Sequence, residues 1–261
     1  MPIAASMTLA ARSRQRIVDD GMGMWHTSIL GLNRRNRRPG DATPALGQVS
    51  PVAYLIEQEP GSRIAPHFHA VAQFQIVVSG AGSLGKRPLS IGSMHYSNAH
   101  TPYGPIHAGG QGLAYLTLRA AWDGGARYMP AERAILQDAT DRVPGDLAVD
   151  AEPGRHMPGL VALAAVERCG LGIWRCGLAA GARQIGPDPA QGLGQFWIVM
   201  VGALLDRGQT LSAGSCIFVP PDEPCYAASA GDVDTDLLVV QFPRADVPRK
   251  LLHDAIVRPS A

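Results

Sequence analysis

Three observations predict an all-β fold, a sandwich or barrel, in which one unit has been built twice. From Val52 onward, short apolar runs alternate with glycine and proline: Val52–Ile56, Phe74–Val78 and Leu113–Leu118, then Phe196–Val201, Cys216–Val219 and Leu237–Phe242. Runs of this length between turn residues read as strands of an all-β domain. Second, Gln73-Phe-Gln-Ile-Val-Val-Ser-Gly80 matches Gln195-Phe-Trp-Ile-Val-Met-Val-Gly202 at a shift of 122 residues. Third, Tyr54 stands seven residues before Gly61 as Trp174 does before Gly181, and Pro102 stands five before His107 as Pro220 does before Cys225. Correspondences in one order, at offsets of 118 to 122, indicate a duplicated unit.

The elements follow from that frame. Residues 1–47 read as a peripheral extension: Ala5–Asp19 could form a short helix, and Asn33-Arg-Arg-Asn-Arg-Arg-Pro39 is a basic loop of the kind that is usually solvated surface. The first barrel is expected over 48–122 and the second over 165–245, followed by a tail over 246–261. Between the barrels, 123–164 reads as a linker carrying one short helix, Pro130-Ala-Glu-Arg-Ala-Ile-Leu-Gln137, with proline in its first turn.

Composition bounds the function. The chain has 261 residues, 46% hydrophobic and only 17% charged, with 30 glycines and 21 prolines. That is a buried, turn-rich globular protein, not a disordered one. A formal charge of +1 gives no electrostatic reason for a nucleic-acid or membrane partner. Cys169, Cys176, Cys216 and Cys225 form no CxxC pair, so buried reduced thiols are the expectation. No apolar run approaches the ~20 residues of a membrane span, and the N-terminus lacks a signal-peptide core, so a cytoplasmic protein is expected. A small-molecule ligand is the expected partner, and a homodimer is compatible with the sequence.

One constellation carries chemistry. Gly61 is followed after five residues by His67-Phe-His69, then Gln73 and Gly80. On a strand, His-x-His places both imidazoles on one face with Cα atoms ~7 Å apart, close enough to share one ion. Pro102-Tyr-Gly104-Pro-Ile-His107 follows, before the apolar run Leu113–Leu118. These segments resemble the two motifs of the cupin superfamily, G-x5-H-x-H-x3,4-E-x6-G and G-x5-P-x-G-x2-H-x3-N. The first matches at every fixed position except that Gln73 replaces Glu. The second matches through Pro102, Gly104 and His107, with four extra residues after Gly92 and Gln111 in place of Asn.

The resemblance implies two tandem cupin barrels of the double-stranded β-helix (jelly-roll) type, with a few short helices. It also implies one divalent metal ion (Fe, Mn, Ni or Zn) on His67, His69 and His107, with Gln73 as a fourth ligand. His100 competes with His107, which is preferred because it completes Pro-x-Gly-x-x-His. No acid or base identifies itself; Tyr103, His95 and His100 are candidates for the pocket rim. In the second half the paired histidines give way to Pro187-Asp-Pro-Ala-Gln191 and the last histidine to Cys225, so that barrel is expected to be structural. His26, His156 and His253 lie outside both motifs and read as ordinary surface or core histidines. Two functions compete: a dioxygenase-like enzyme acting on a small anionic or enolisable substrate, with a metal-dependent isomerase or hydrolase as its variant, and a non-catalytic ligand-binding or sensor cupin.

Overall fold

The computed structural model describes all residues except 20, 46–47, 140–142, 152–157, 167 and 258–261. His156 and the middle of the expected linker therefore lie outside the described residues. The chain forms two compact units. One is Ser13–Asp150, and the other combines Met1–Arg12 with Ala151–Ala261.

The Ser13–Asp150 unit is built on an antiparallel sheet. Its path runs Asp146–Asp150, Ser93–Ser97, Gln73–Leu84, Ile106–Arg119, Val52–Gln58, Met22–Leu30 and Gln15–Asp19. The two long strands, Gln73–Leu84 and Ile106–Arg119, pair along their length but shift register between Ala108 and Leu113. Gly80 explains the shift. Its φ is +75°, and a Cβ there would stand 2.2 Å from the carbonyl oxygen of Gly112. Only glycine permits that crossing of backbones, and the resulting bulge curls the sheet into a barrel. Inside lie Ile17, Met24, Ile56, Ile64, Val77, Ile106 and Leu113, all buried.

Two boundaries differ from expectation. The extension over 1–47 is divided between the units. Ile3–Ala5 pairs with Cys216–Val219, while Gln15–Asp19 and Met22–Leu30 extend the first barrel's sheet beside Val52–Gln58. The helix expected over Ala5–Asp19 shrinks to the single turn Met7–Ala10 and a following 3-10 turn. Ile17, Met24 and Leu30 are buried at strand spacing, so a sheet edge covers apolar area that an isolated helix would leave wet. The linker also contributes to the first barrel: Arg127–Tyr128 pairs with His67–Phe68, and Asp146–Asp150 pairs with Ser93–Ser97. The short helix is present as Arg133–Asp138.

The other unit repeats the plan. A six-stranded sheet runs Ile3–Ala5, Cys216–Val219, Gln195–Val201, Thr235–Gln241, Leu171–Leu178 and Gly159–Val166. A four-stranded sheet runs Arg183–Ile185, Ala227–Ala230, Ala203–Asp206 and Gln209–Ser212. Trp197, Val199, Leu204, Leu211, Ile217, Leu237 and Val239 pack together as one buried apolar cluster. Among the described residues, no helix is long and apolar enough to cross a membrane.

Candidate functional site

Strand periodicity builds the site. Phe74 pairs with Leu118, and both are fully buried against the outer layers. Their neighbours Gln73, Gln75, Thr117 and Arg119 therefore point the other way, into the barrel, where they line a cavity of about 90 Å³. A cavity needs only ~10–15 Å³ by such a measure to hold one water, so this one accommodates a ligand of several heavy atoms.

His67 and His69 both reach the cavity, with ring centroids 5.4 Å apart. The His67 Nδ1 lies 2.8 Å from the Ala65 carbonyl, to which it donates, leaving Nε2 as the lone-pair nitrogen. The His69 Nδ1 donates to Asp123 Oδ2 at 2.8 Å. Burial pushes the His67 imidazole down to about 4, with the Arg119 charge adding to it and the Ala65 carbonyl opposing. Burial and then the Arg119 charge push His69 to about 3, against the pull of Asp123. Both rings are neutral near pH 7.

Arg119 is the centre of the polar network, although it belongs to neither motif. It ends the apolar strand and is only 4% exposed. Its Nε and Nη2 donate to Gln73 Oε1 at 3.2 and 2.9 Å, and Nη1 donates to Asp123 Oδ2 at 3.2 Å. Nη2 also lies 3.1 Å from both ring nitrogens of His69. Because Nδ1 gives its proton to Asp123, Nε2 is the acceptor for Arg119. Asp123 further accepts from the backbone N–H groups of Ala70 (3.1 Å) and Gly125 (2.8 Å). Burial raises the Asp123 carboxyl, but the His69 hydrogen bond and the Arg119 charge outweigh it and hold the group below the usual carboxylate range.

His107 does not join this group. It sits on Ile106–Arg119 between buried Ile106 and buried Ala108, so strand alternation turns its side chain to solvent. The residue that the Pro102–His107 segment delivers to the cavity is Tyr103. A backbone bridge to His67 holds it, with N–H···O bonds of 3.1 and 3.0 Å, and its hydroxyl receives the amide of Gln73. Burial raises the Tyr103 pKa, so it stays a neutral phenol. His95 lies behind Tyr103, with ring centroids 5.1 Å apart and ring nitrogens 3.3 Å from Gln75 Oε1 and Asp146 Oδ2. The His100 ring instead faces Phe68 at 6.1 Å, with its backbone N–H donating to the His69 carbonyl at 2.8 Å.

The metal set implied by the motifs can be tested donor by donor. His107 is exposed. The oxygen of Gln73 and the Nε2 of His69, the lone pairs an ion would need, already accept from Arg119. Of the three that reach the cavity, His67 alone keeps an open lone pair, on Nε2. Among the described residues, no group of three His, Cys, Asp or Glu side chains could share an ion. The residues present do not fit a mononuclear metal centre, because a permanent guanidinium charge stands among its expected ligands.

The remaining wall comes from the segment expected to be peripheral. Met24, His26, Asn33, Arg34 and Arg35 line the cavity, and Asp19 pairs with Arg35 at 2.8 Å. The basic loop thus faces the site and is not simply solvated surface. Asn33 shapes it, its Oδ1 accepting from the N–H groups of Arg35 (2.8 Å) and Asn36 (3.3 Å). His26 is buried and stacks on Tyr54 at 4.9 Å. Burial and then the Arg35 charge push its pKa down to about 4. The alternation of Met24, His26 and Ser28 was readable as a strand. The charge at the end of Leu113–Leu118 was the available signal for Arg119.

No protein-family model and no curated protein matches the chain. Among solved structures, it is similar to a bacterial pirin from Escherichia coli in complex with nickel(II), at 14% identity and TM-score 0.55 over 94% of this chain and 100% of that one. It is similar to AerE from Microcystis aeruginosa at 13% identity and TM-score 0.53, covering 87% and 96%. An oxalate decarboxylase variant from Bacillus subtilis aligns at 12% identity and TM-score 0.54, covering 92% and 76%. At these identities the likeness concerns fold: the chain is all-β, with the jelly-roll architecture of cupin-type proteins.

Proposed function

We propose that the first barrel binds a small organic anion, and that Arg119, not a metal ion, supplies the charge that attracts it. One observation carries this reading: a buried guanidinium held at the wall of the cavity by hydrogen bonds to Gln73, Asp123 and His69. The described lining contains three arginines, Arg34, Arg35 and Arg119, against two carboxylates, Asp19 and Asp123. With its histidines neutral, the cavity carries an excess positive charge. A carboxylate or enolate neutralises that excess, and donors already held in place bind it at little reorganisation cost. The side chains of Tyr54, Tyr103, Tyr115 and Tyr128 supply apolar walls for the ligand's body.

The metal-dependent oxygenase reading has one observation in its favour. The Nδ1 atoms of His67 and His69 are anchored on a carbonyl and a carboxylate, the orientation common to metal-bound imidazoles. It requires Arg119 to vacate His69 and Gln73, leaving Asp123 buried without its cation. Benzoate binding, measured by calorimetry before and after chelator treatment, separates the two readings. The anion reading expects binding unchanged by the chelator and weakened about tenfold or more in Arg119→Met. Stoichiometric metal in natively purified protein, lost in His67→Ala, would overturn it and restore the metal centre.

A further inference from the structure

The orphaned nitrogen of His26 points to a second recognition group in the same cavity, and the inference rests on the anion reading above. His26 is 3% exposed, lines the cavity, and its Nδ1 has no hydrogen-bond partner. A buried imidazole nitrogen left unpaired is costly, and native structures rarely keep one without a ligand or water to satisfy it. His26 and Arg119 both border the ring of Tyr54. The imidazole stacks on it at 4.9 Å, and the guanidinium carbon lies 5.5 Å from its centroid. Tyr54 therefore has both a cation and a neutral imidazole beside it on the cavity wall.

We infer that His26 is a specificity-determining residue, hydrogen-bonding a neutral polar group of a ligand whose anionic end faces Arg119. The ligand class follows from these two chemistries. It is a small carboxylate or enolate that also carries a hydroxyl or carbonyl group several bonds away. A plain carboxylate would satisfy Arg119 and leave His26 Nδ1 unpaired. A doubly charged acid would place its second carboxylate against a neutral ring. A neutral imidazole offers that nitrogen as either donor or acceptor according to tautomer, so both hydroxyl and carbonyl partners are served. Arg35, which with Asp19 forms the ion pair on the cavity wall, helps to keep the ring neutral.

The test is a comparison of benzoate with its 2-, 3- and 4-hydroxy derivatives by calorimetry on the full chain. Wild-type protein should prefer one hydroxybenzoate over benzoate by roughly fivefold or more, the worth of one hydrogen bond. His26→Phe should lose the preference, binding benzoate and its hydroxy derivatives alike. His26→Asn, which keeps a polar atom near the Nδ1 position, should retain part of it. An unchanged preference in His26→Phe, or no preference in wild type, overturns the role of His26 while benzoate binding through Arg119 stands. Failure of all four probes to bind overturns the anion reading itself, and this inference with it. If His26→Phe does not fold, the ¹⁵N resonance of Nδ1 in wild type decides the same question. It should move with the preferred hydroxybenzoate and not with benzoate, and equal movement or none overturns the inference.

Discussion

Strand Gln73–Leu84 in the first barrel and strand Gln195–Val201 in the second begin with the same glutamine and diverge two residues later. Both lead to a left-handed glycine, Gly80 or Gly202, where an added Cβ would stand 2.2 or 2.3 Å from a neighbouring carbonyl oxygen. The bulge that shapes each barrel has thus been kept. Each glutamine also meets the residue that ends the partner strand: Gln73 accepts from Arg119, and Gln195 donates to Gln241 at 2.7 Å. The interiors then part. Gln75 borders open space, whereas Trp197 is fully buried, donates to Gln195 Oε1 at 3.2 Å, and packs so closely on Gly186 that a Cβ there would stand 2.1 Å from its ring. His67 and His69 have Pro187 and Pro189 as counterparts. An indole fills the second barrel where the first holds a cavity, and a neutral amide replaces its cation. The same backbone encloses a cavity or packs solid according to three or four inward side chains.

Breaking the packing barrel should give the largest effect. Trp197→Ala removes a fully buried indole and should cost about 3–5 kcal/mol, seen as a large drop in the thermal midpoint. Gln75→Ala at the matching position borders a cavity already and should cost a fraction of that. Breaking the polar network comes next. Arg119→Gln, which copies the second barrel's Gln241, leaves the buried Asp123 carboxylate without its cation and should cost on the order of 3 kcal/mol. Adding Asp123→Asn should recover part of that loss, so a denaturation double-mutant cycle should show coupling; strict additivity would remove Arg119–Asp123 from the network.

A pH series probes the same contrast. His26, His67 and His69 have folded-state pKa values lowered to about 4, about 4 and about 3 by burial. A lowered value means that the folded state binds fewer protons than the unfolded chain. The stability these groups contribute is full above the unfolded histidine value of ~6.5 and is lost as pH falls toward 4. At ~1.4 kcal/mol per pKa unit, one such histidine accounts for about 3 kcal/mol of that loss. The Asp123 carboxyl, also lowered, weakens the fold further only below its unfolded value of ~3.9. The second barrel's strands carry no histidine, so hydrogen exchange between pH 7 and 4.5 should loosen the Ser13–Asp150 unit first. Equal loosening of both units would contradict the burial argument.

Smaller effects test the electrostatics. Gln73→Glu gives Arg119 a second carboxylate and cancels the cavity's excess charge, so benzoate affinity should fall several-fold with little change in stability. The smallest effect belongs to His107→Ala. Its side chain is exposed, and the substitution should stay within about 0.5 kcal/mol and leave benzoate affinity unchanged. Any marked loss of binding there would return His107 to the site.

The all-β class, the duplication that matches Gly80 with Gly202, and the pairing of His67 with His69 were legible in the order of residues. Each depends on local chemistry: two-residue alternation, turn residues, and motif spacing. The absence of paired histidines from the second half was legible for the same reason, since Pro187 and Pro189 stand in their place. Which distant groups share the cavity was settled by folding. Asp123 and Arg119 are four residues apart, but only the barrel brings them to His69 and Gln73, some fifty residues earlier in the chain. His107 and Tyr103 lie in one motif, yet strand alternation sends the first outward while a backbone bridge to His67 turns the second inward. His26 reaches the cavity because strand Met22–Leu30 pairs with Val52–Gln58. Strand pairing is a long-range choice, fixed by which apolar faces can be buried together, and no local spacing encodes it.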